Sequence, residues 1–228
     1  MATTFLQMTN RVLRRLNDIE LTEDNFDAAR GLQATIKDAV IDAVKHVNRH
    51  PGNWPWNAVQ HTMTLTAGTS EYAWPSTFKS AEWRTFQIQK NDTLSADATT
   101  LRMIDRDVWY EQYRDRTLQD TGSWSLPHAV FESHGNGFGV YPTPDKDYSV
   151  TFRYYKTSSD LVNFDDELDI PDQWNDAVFY HAVSAGHSFK ENIEQAKLFE
   201  QMFNHTVEEM ATILLHRSDY FRDTRVNF

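Results

Sequence analysis

The chain has 228 residues and a formal charge of −11, and it contains no cysteine. The negative charge argues against a general nucleic-acid binder, because sequence-independent affinity for phosphates comes from clustered lysine and arginine. The lack of cysteine excludes disulfides, thiolate nucleophiles and cysteine metal sites, and no apolar run approaches the ~20 residues that a membrane helix requires.

Apolar residues at helical spacing predict two helices at the start of the chain. The first covers residues 3–20, where five apolar residues recur at steps of three or four: Phe5, Met8, Val12, Leu16 and Ile19. The second begins at Thr22, a good N-cap, with Leu21 and Phe26 at the positions of a hydrophobic staple. Pro51 ends it, so the two helices form an αα-hairpin.

The middle of the chain changes to a period of two, which is typical of strands. Residues 59–66 and 71–74 alternate on either side of a turn, and residues 83–89 form a further strand. After a polar loop over residues 90–100, Asp105 caps a short helix. About six antiparallel strands are expected, in a small sheet or a sandwich.

The stretch GFGVYPTPDKDYSVTFRYY, residues 137–155, reads as a strand, a proline turn and a second strand. Residues 128–134 pair with its first half through a glycine turn, and its second half completes a meander. Nothing in the stretch suggests catalysis.

Two further helices follow, near residues 172–188 and from Glu191 to about His216. The fold class is therefore α+β: an antiparallel helical bundle made by both ends of the chain, with an inserted antiparallel sheet or sandwich. The expected domains are residues 1–56, 57–160 and 161–216, followed by an extended tail over residues 217–228.

No catalytic or metal site and no cofactor is expected. His181 and His187 are six residues apart on a helix and do not share a face. The acidic run over residues 160–176 lacks a calcium-loop pattern and is interpreted as a solvated linker with an acid-favoured helix start. Glu71 and Glu132 could form the carboxylate pair of a glycosidase, although a chain with 33 acids offers many such pairs.

Aromatic residues suggest two other kinds of site. The tryptophans could stack on a sugar or a base, but burial where the helices meet the sheet is favoured; they are Trp54, Trp56, Trp74, Trp83 and Trp124. The tail mixes aromatic and arginine side chains, and such a segment is either frayed and disordered, which is the common case, or an arm that docks on a partner. The three aromatic residues in its last twelve positions favour docking. Its candidate docking residues are Arg217, Tyr220, Phe221, Arg222, Arg225 and Phe228.

Four features together resemble the head-to-tail adaptor, or connector, proteins of short-tailed bacteriophages, of the tail tubular protein A type. They are the helical pair ending in NWPWN, the hairpin TLTAGTSEYAWP, the GFGVYPTPDKDYSVTFRYY meander, and the closing helices with their arginine- and aromatic-bearing tail. The resemblance covers nearly the whole chain, although each motif alone also occurs elsewhere.

The resemblance implies a structural virion protein, made in the host cytoplasm and placed at the head–tail junction. Twelve copies would form a ring beneath the portal protein, with helices in the wall, tails reaching into the portal, and sheets facing nozzle or fibre proteins. DNA would pass through without sequence-specific binding. The aromatic hairpin would then be a packing and assembly surface, formed by Tyr141, Asp145 and Tyr148, and not an active site. The alternatives are a tail-associated enzyme that hydrolyses cell-wall glycan and a carbohydrate-binding module.

Overall fold

The computed structural model describes residues 2–89, 98–114 and 121–215 of a mixed α+β protein with helices and antiparallel sheets, as the sequence predicts at that level. The chain divides into two units. The helical unit contains the described residues up to Asn57 and from Thr157 onward, and the β unit is Ala58–Lys156. The helices are α1 (Phe5–Arg15), α2 (Leu32–Arg49), α3 (Arg106–Gln112), α4 (Asn175–Phe189) and α5 (Ile193–Leu214).

Helix α1 starts where the sequence predicts but is shorter. The Thr4 side chain accepts a hydrogen bond from the Gln7 amide, and the Gln7 side chain accepts one from the Thr4 amide, which forms a capping box. The helix ends at Arg15, because Asn17 adopts the left-handed conformation with φ of 54°. Ile19 is 78% exposed. Its assignment to the buried face was therefore wrong.

Helix α2 begins ten residues after the predicted N-cap. Thr22 instead caps a short 3₁₀ turn, Glu23–Asn25, and its amide donates to the Asn25 side chain at 2.7 Å. Gly31, at φ of 57°, then reverses the chain immediately before α2. Leu21 and Phe26 are both buried, so the segment packs on the core without being helical.

The two closing helices follow the predicted apolar pattern. A 3₁₀ turn, Asp172–Trp174, precedes α4, and the Asn192 side chain caps α5. The apolar stripes of α1, α2, α4 and α5 meet in one cluster, which also takes in Trp54 and the linker residues Leu161, Leu168 and Ile170. The core of the helical unit is thus built from sequence on both sides of the β unit.

The described part of the β unit contains nine strands. They are β1 (Ala58–Leu65), β2 (Glu71–Ala73), β3 (Phe78–Ala81), β4 (Gln87–Gln89), β5 (Ala98–Thr100), β6 (Arg102–Met103), β7 (Ala129–Ser133), β8 (Gly137–Tyr141) and β9 (Tyr148–Lys156). One sheet has the order β1-β9-β4-β5, with β3 also paired to β9. The other has the order β2-β8-β7-β6.

The pairing of these strands corrects two predictions. The β7–β8 hairpin is confirmed, with Ala129 opposite Tyr141. Strands β8 and β9 are not a hairpin, because β9 pairs with β1, β3 and β4 in the other sheet. Likewise β1 and β2 belong to different sheets, although a short turn joins them. The short β6–β7 pair is parallel, and every other strand pair in the described part of the β unit is antiparallel.

Side chains of both sheets pack into one aromatic cluster. Phe138 on β8 lies 5.4 Å, between ring centroids, from Phe152 on β9, and Phe86 stacks on Phe152 at 4.5 Å. Trp74 lies 4.9 Å from Phe138 and stacks on Phe78 at 4.1 Å. These contacts join the two sheets through one shared core.

Candidate functional site

The proline connector, residues 142–147, carries the chain from β8 to β9 and is held by its neighbours in the β unit. The Gly68 amide donates to the Pro144 carbonyl at 2.9 Å, and the Ser125 amide donates to the Thr143 carbonyl at 3.0 Å. The Ala67 amide donates to the Asp147 carboxylate at 2.9 Å. The connector is therefore fixed to the β1–β2 turn and to the segment before β7.

Tyr148 lies at the end of this connector and is buried in the shared core. Its hydroxyl donates to Asp145 at 2.7 Å. Burial, and then this hydrogen bond, raise the pKa of Tyr148 to about 12. The ring of Tyr148 thus supports the connector from within, while Asp145 is exposed on the surface.

Tyr141 occupies the other end of the connector and is half-buried. Its ring lies 4.8 Å from the ring of Tyr113 and 5.6 Å from the ring of His128. Tyr141 and Asp145 therefore present accessible atoms on a supported surface, whereas Tyr148 does not. The sequence contained a signal for this difference, because Tyr148 alternates in step with Val150 and Phe152.

A polar cluster near β2 was not predicted from the sequence. The Ser133 hydroxyl donates to the carboxylate of Glu71, and the Tyr110 hydroxyl donates to the same carboxylate at 3.4 Å. The His134 amide donates to the Tyr110 hydroxyl, and the two rings lie 4.3 Å apart. These hydrogen bonds hold α3 against the sheet. The sequence spacing does not predict the cluster, because its members come from three separate elements.

The Glu71 and Glu132 pair does not assemble as a glycosidase would require. Glu71 is in register with Gly139, and Gly139 with Phe131. Glu132 is in register with Phe138, which pairs with Tyr72. Because successive residues of a strand point to opposite faces, the two carboxylates leave opposite faces of the sheet and cannot flank one bond.

The histidines of the helical unit lie among aromatic rings. The ring of His181 on α4 is 4.9 Å from Phe203 on α5 and 5.7 Å from His46 on α2. Burial, and then the neighbouring His46, lower the pKa of His181. Within the described part of the chain, no group of three or more His, Asp or Glu side chains is placed to hold a metal ion.

Members of the acidic run make local structural hydrogen bonds. Asp166 accepts from the amides of Val162 and Asn163 at 2.6 and 2.7 Å, and these bonds lower its pKa. Asp172 accepts from both the hydroxyl and the amide of Thr3 at 3.0 Å, which lowers its pKa as well. These carboxylates hold turns of the linker and join it to the start of the chain.

The tryptophans belong to the packing of each unit. The Trp54 indole is fully buried, donates to the Val47 carbonyl at 2.7 Å and stacks on Trp56 at 5.0 Å. Trp74 and Trp83 contact each other in the β core at 5.6 Å. Trp124 lies against Gly68 of the β1–β2 turn. This packing leaves no row of exposed indoles among these residues.

The predicted docking residues of the tail, from Arg217 to Phe228, lie outside the described residues. The last described residue, Leu215, packs against Gly52 just after the end of α2. The described chain therefore ends beside the C-terminus of α2. The docking role of the tail remains a prediction.

Comparison with known proteins identifies one family. The family model described as SU10 adaptor protein matches residues 3–226, which is nearly the whole chain. A search of curated proteins gave no significant match. None of the helices in residues 2–89, 98–114 and 121–215 combines the length and the apolar character needed to cross a bilayer.

Proposed function

Because the chain belongs to the SU10 adaptor protein family, we propose that it is a bacteriophage head-to-tail adaptor, a structural virion protein between the portal and the tail. The family match over residues 3–226 carries this proposal, since it includes both units and not one fragment. The carboxylates of Glu71, Asp166 and Asp172 make hydrogen bonds within their own unit, which also favours a structural role over catalysis.

The proposed assembly is a ring, with twelve copies beneath the portal. In this arrangement the helices of each copy act as an antiparallel bundle in the ring wall, and the two sheets act as a sandwich that faces nozzle or fibre proteins. The shared aromatic core supports the second role, because it gives a rigid body on which surface loops can be displayed. The helical unit and the β unit are the two domains of this proposal.

The net negative charge of the chain supports the proposal that DNA passes through such a ring. Twelve copies of a chain with a charge of −11 would carry about −132. Carboxylates that line a channel repel phosphates, so DNA slides past without a stable contact. Ejection of DNA would then meet little friction from this protein.

The proline connector is proposed as a contact surface for the tail proteins. Tyr141 lies at its start and Asp145 lies within it, and the connector is fixed by hydrogen bonds from Ala67, Gly68 and Ser125. A surface held in this way loses little conformational entropy when a partner binds. Tyr148 supports this surface from the core and does not touch the partner.

The tail is proposed as the docking arm for the portal. The test is co-sedimentation of the purified chain with its cognate portal ring, comparing full-length protein with a version truncated after His216. We expect stoichiometric binding of the full-length protein only. A matched control replaces Tyr220, Phe221 and Phe228 by alanine and keeps the arginines, and it separates aromatic anchoring from charge.

Two results would contradict parts of this proposal. If the truncated chain binds the portal as tightly as the full-length chain, the docking arm lies elsewhere. If neither chain binds, the adaptor role itself fails, and zymography on cell-wall glycan and a glycan array become the next measurements.

A further inference from the structure

The other described residues of the chain cover only a small part of helix α5. Only four of its 22 residues are buried, whereas eight of the 18 residues of α2 are. The exposed part includes Leu198, Met202 and Ile213, which are 48%, 37% and 61% exposed. Exposed apolar side chains that form a contiguous row mark a contact site more often than scattered ones.

These residues form a seam along the helix. The α5 seam consists of Leu198, Met202, Thr206, Glu209 and Ile213. Its members are separated by steps of four, four, three and four, so they lie on one face of the helix. This spacing is typical of a helix that packs against another helix.

Charge indicates which helix could cover the seam. Glu209 lies in the seam and Glu194 lies one turn before Leu198, whereas α1 carries three arginines and no acid. The three arginines, Arg11, Arg14 and Arg15, form the α1 basic face. Two chains of charge −11 repel each other at a distance, so a contact between copies needs a basic surface of this kind on one side.

Of the α1 arginines, Arg14 is the most available for such a contact, because Arg11 lies over the ring of Phe179 at 4.4 Å and Arg15 lies over the ring of Phe199, on α5 of its own chain, at 5.7 Å. Arg11 pairs with Asp176 at 2.6 Å and Arg14 pairs with Glu20 at 3.0 Å, and all four side chains are about half exposed. Exposed ion pairs of this type contribute at most about 1 kcal/mol to stability, so the arginines can exchange partners at little cost in free energy. The carbon stems of arginine can also cover apolar side chains such as Met202.

We infer that the α5 seam of one copy packs on the α1 basic face of a second copy of this chain. The contact uses two different surfaces of one unit, so it is head-to-tail and can repeat around a closed ring. This inference rests on the proposed adaptor ring and names its subunit contact.

A cross-linking experiment tests the contact directly, because the chain has no cysteine of its own. Arg14→Cys is made in one chain and Met202→Cys in another, and the two are mixed under mild oxidation, both free and on the portal ring. The matched control replaces Met202→Cys by Lys197→Cys, which is exposed on the same helix but about 140° around it. We expect the Arg14–Met202 mixed disulfide to form about tenfold faster than the control disulfide, the low end of the effect of complementary charge.

Equal rates for the seam and control positions, free and on the portal ring, would overturn the inference. Co-sedimentation of the wild-type chain with the portal separates this failure from failure of the proposed function. If wild type binds the portal while the rates stay equal, the adaptor role stands and the seam is covered by something other than α1 of another copy, such as the portal protein.

A charge exchange provides a second, independent test. Arg14→Glu alone and Glu209→Arg alone should each reduce assembly of portal-bound rings about tenfold or more, because each brings like charges together across the contact. The chain with both changes should recover most of the loss. Both side chains are exposed, so the folded chain tolerates them. Failure of the double variant to recover, with normal thermal stability, contradicts a contact between these two faces.

Discussion

Replacing Gly139 by alanine should strongly destabilise the β unit. Gly139 lies in the middle of β8, and a Cβ there would come within 2.6 Å of Phe131 Cε1 and closer still to the tip of that ring. Ordinary contact requires about 3.4 Å, so the ring must move by nearly 1 Å or more. It has little room, because its other face stacks on Trp109 at 4.0 Å. Overpacking of this kind costs about 3 kcal/mol.

The measurement is urea unfolding followed by tryptophan fluorescence, with thermal melting as a second readout. A loss of about 3 kcal/mol corresponds to roughly 6 to 12 °C for a chain of this size. Gly135→Ala is the matched control, because the nearest atom to its added Cβ is Ser133 Oγ at 3.8 Å. Adding Phe131→Leu to Gly139→Ala should restore part of the loss. A Gly139→Ala variant within 1 kcal/mol of wild type would refute the reasoning.

Three further outcomes are expected. The pKa of His181 is lower in the folded state than in the unfolded state, where it is about 6.5. The free energy of unfolding should therefore be greatest above pH 6.5 and decrease as the pH falls below it. His181→Leu should flatten this dependence in urea titrations from about pH 5 to 8. Tyr148→Ala should cost about 3 to 4 kcal/mol, whereas half-buried Tyr141→Ala should cost less than half of that and reduce particle assembly instead. Thr4→Ala should cost about 1 kcal/mol through loss of the α1 capping box, measured by thermal melting.

The helices could be predicted from the sequence because each carries its own apolar stripe. The predicted residues Phe199, Phe203 and Met210 are all buried on α5. Helix ends were harder, since Asn17 and Gly31 adopt left-handed conformations that no periodicity reveals. Ile19 was assigned to the buried face because the apolar pattern does not show that α1 ends before Asn17.

Strand positions were predicted better than strand partners. The connector between β8 and β9 has the residues of a turn, but turn residues establish that the chain bends and not which strands then pair. The partner of β9 over its whole length is β1, about 90 residues earlier in the sequence, with Ala58 opposite Tyr155. Such a pairing depends on how two sheets share one core, which local patterns do not encode.

The candidate site was predicted in part for the same reason. The sequence identified the connector and its tyrosines, and the alternation along β9 is a signal that Tyr148 is buried. The half-buried position of Tyr141 follows from its packing against Tyr113 and His128. The Glu71, Tyr110 and Ser133 cluster depends on contacts between distant elements. The family match supports the overall role that the sequence resemblance suggested.

The pairing of Ala58 with Tyr155 has a consequence for the order of folding. The β unit is complete once Lys156 has been made, whereas the core of the helical unit needs α4, which begins at Asn175. At ~5–20 residues per second, α4 starts to emerge about one to four seconds later. During that interval α1 and α2 lack their main packing partner, while the β unit can already form its own core. Folding during synthesis therefore starts in the middle of the sequence. The completed β unit then holds the two flanking segments at the ends of adjacent strands. This reduces the entropy cost of bringing the helices of those segments together.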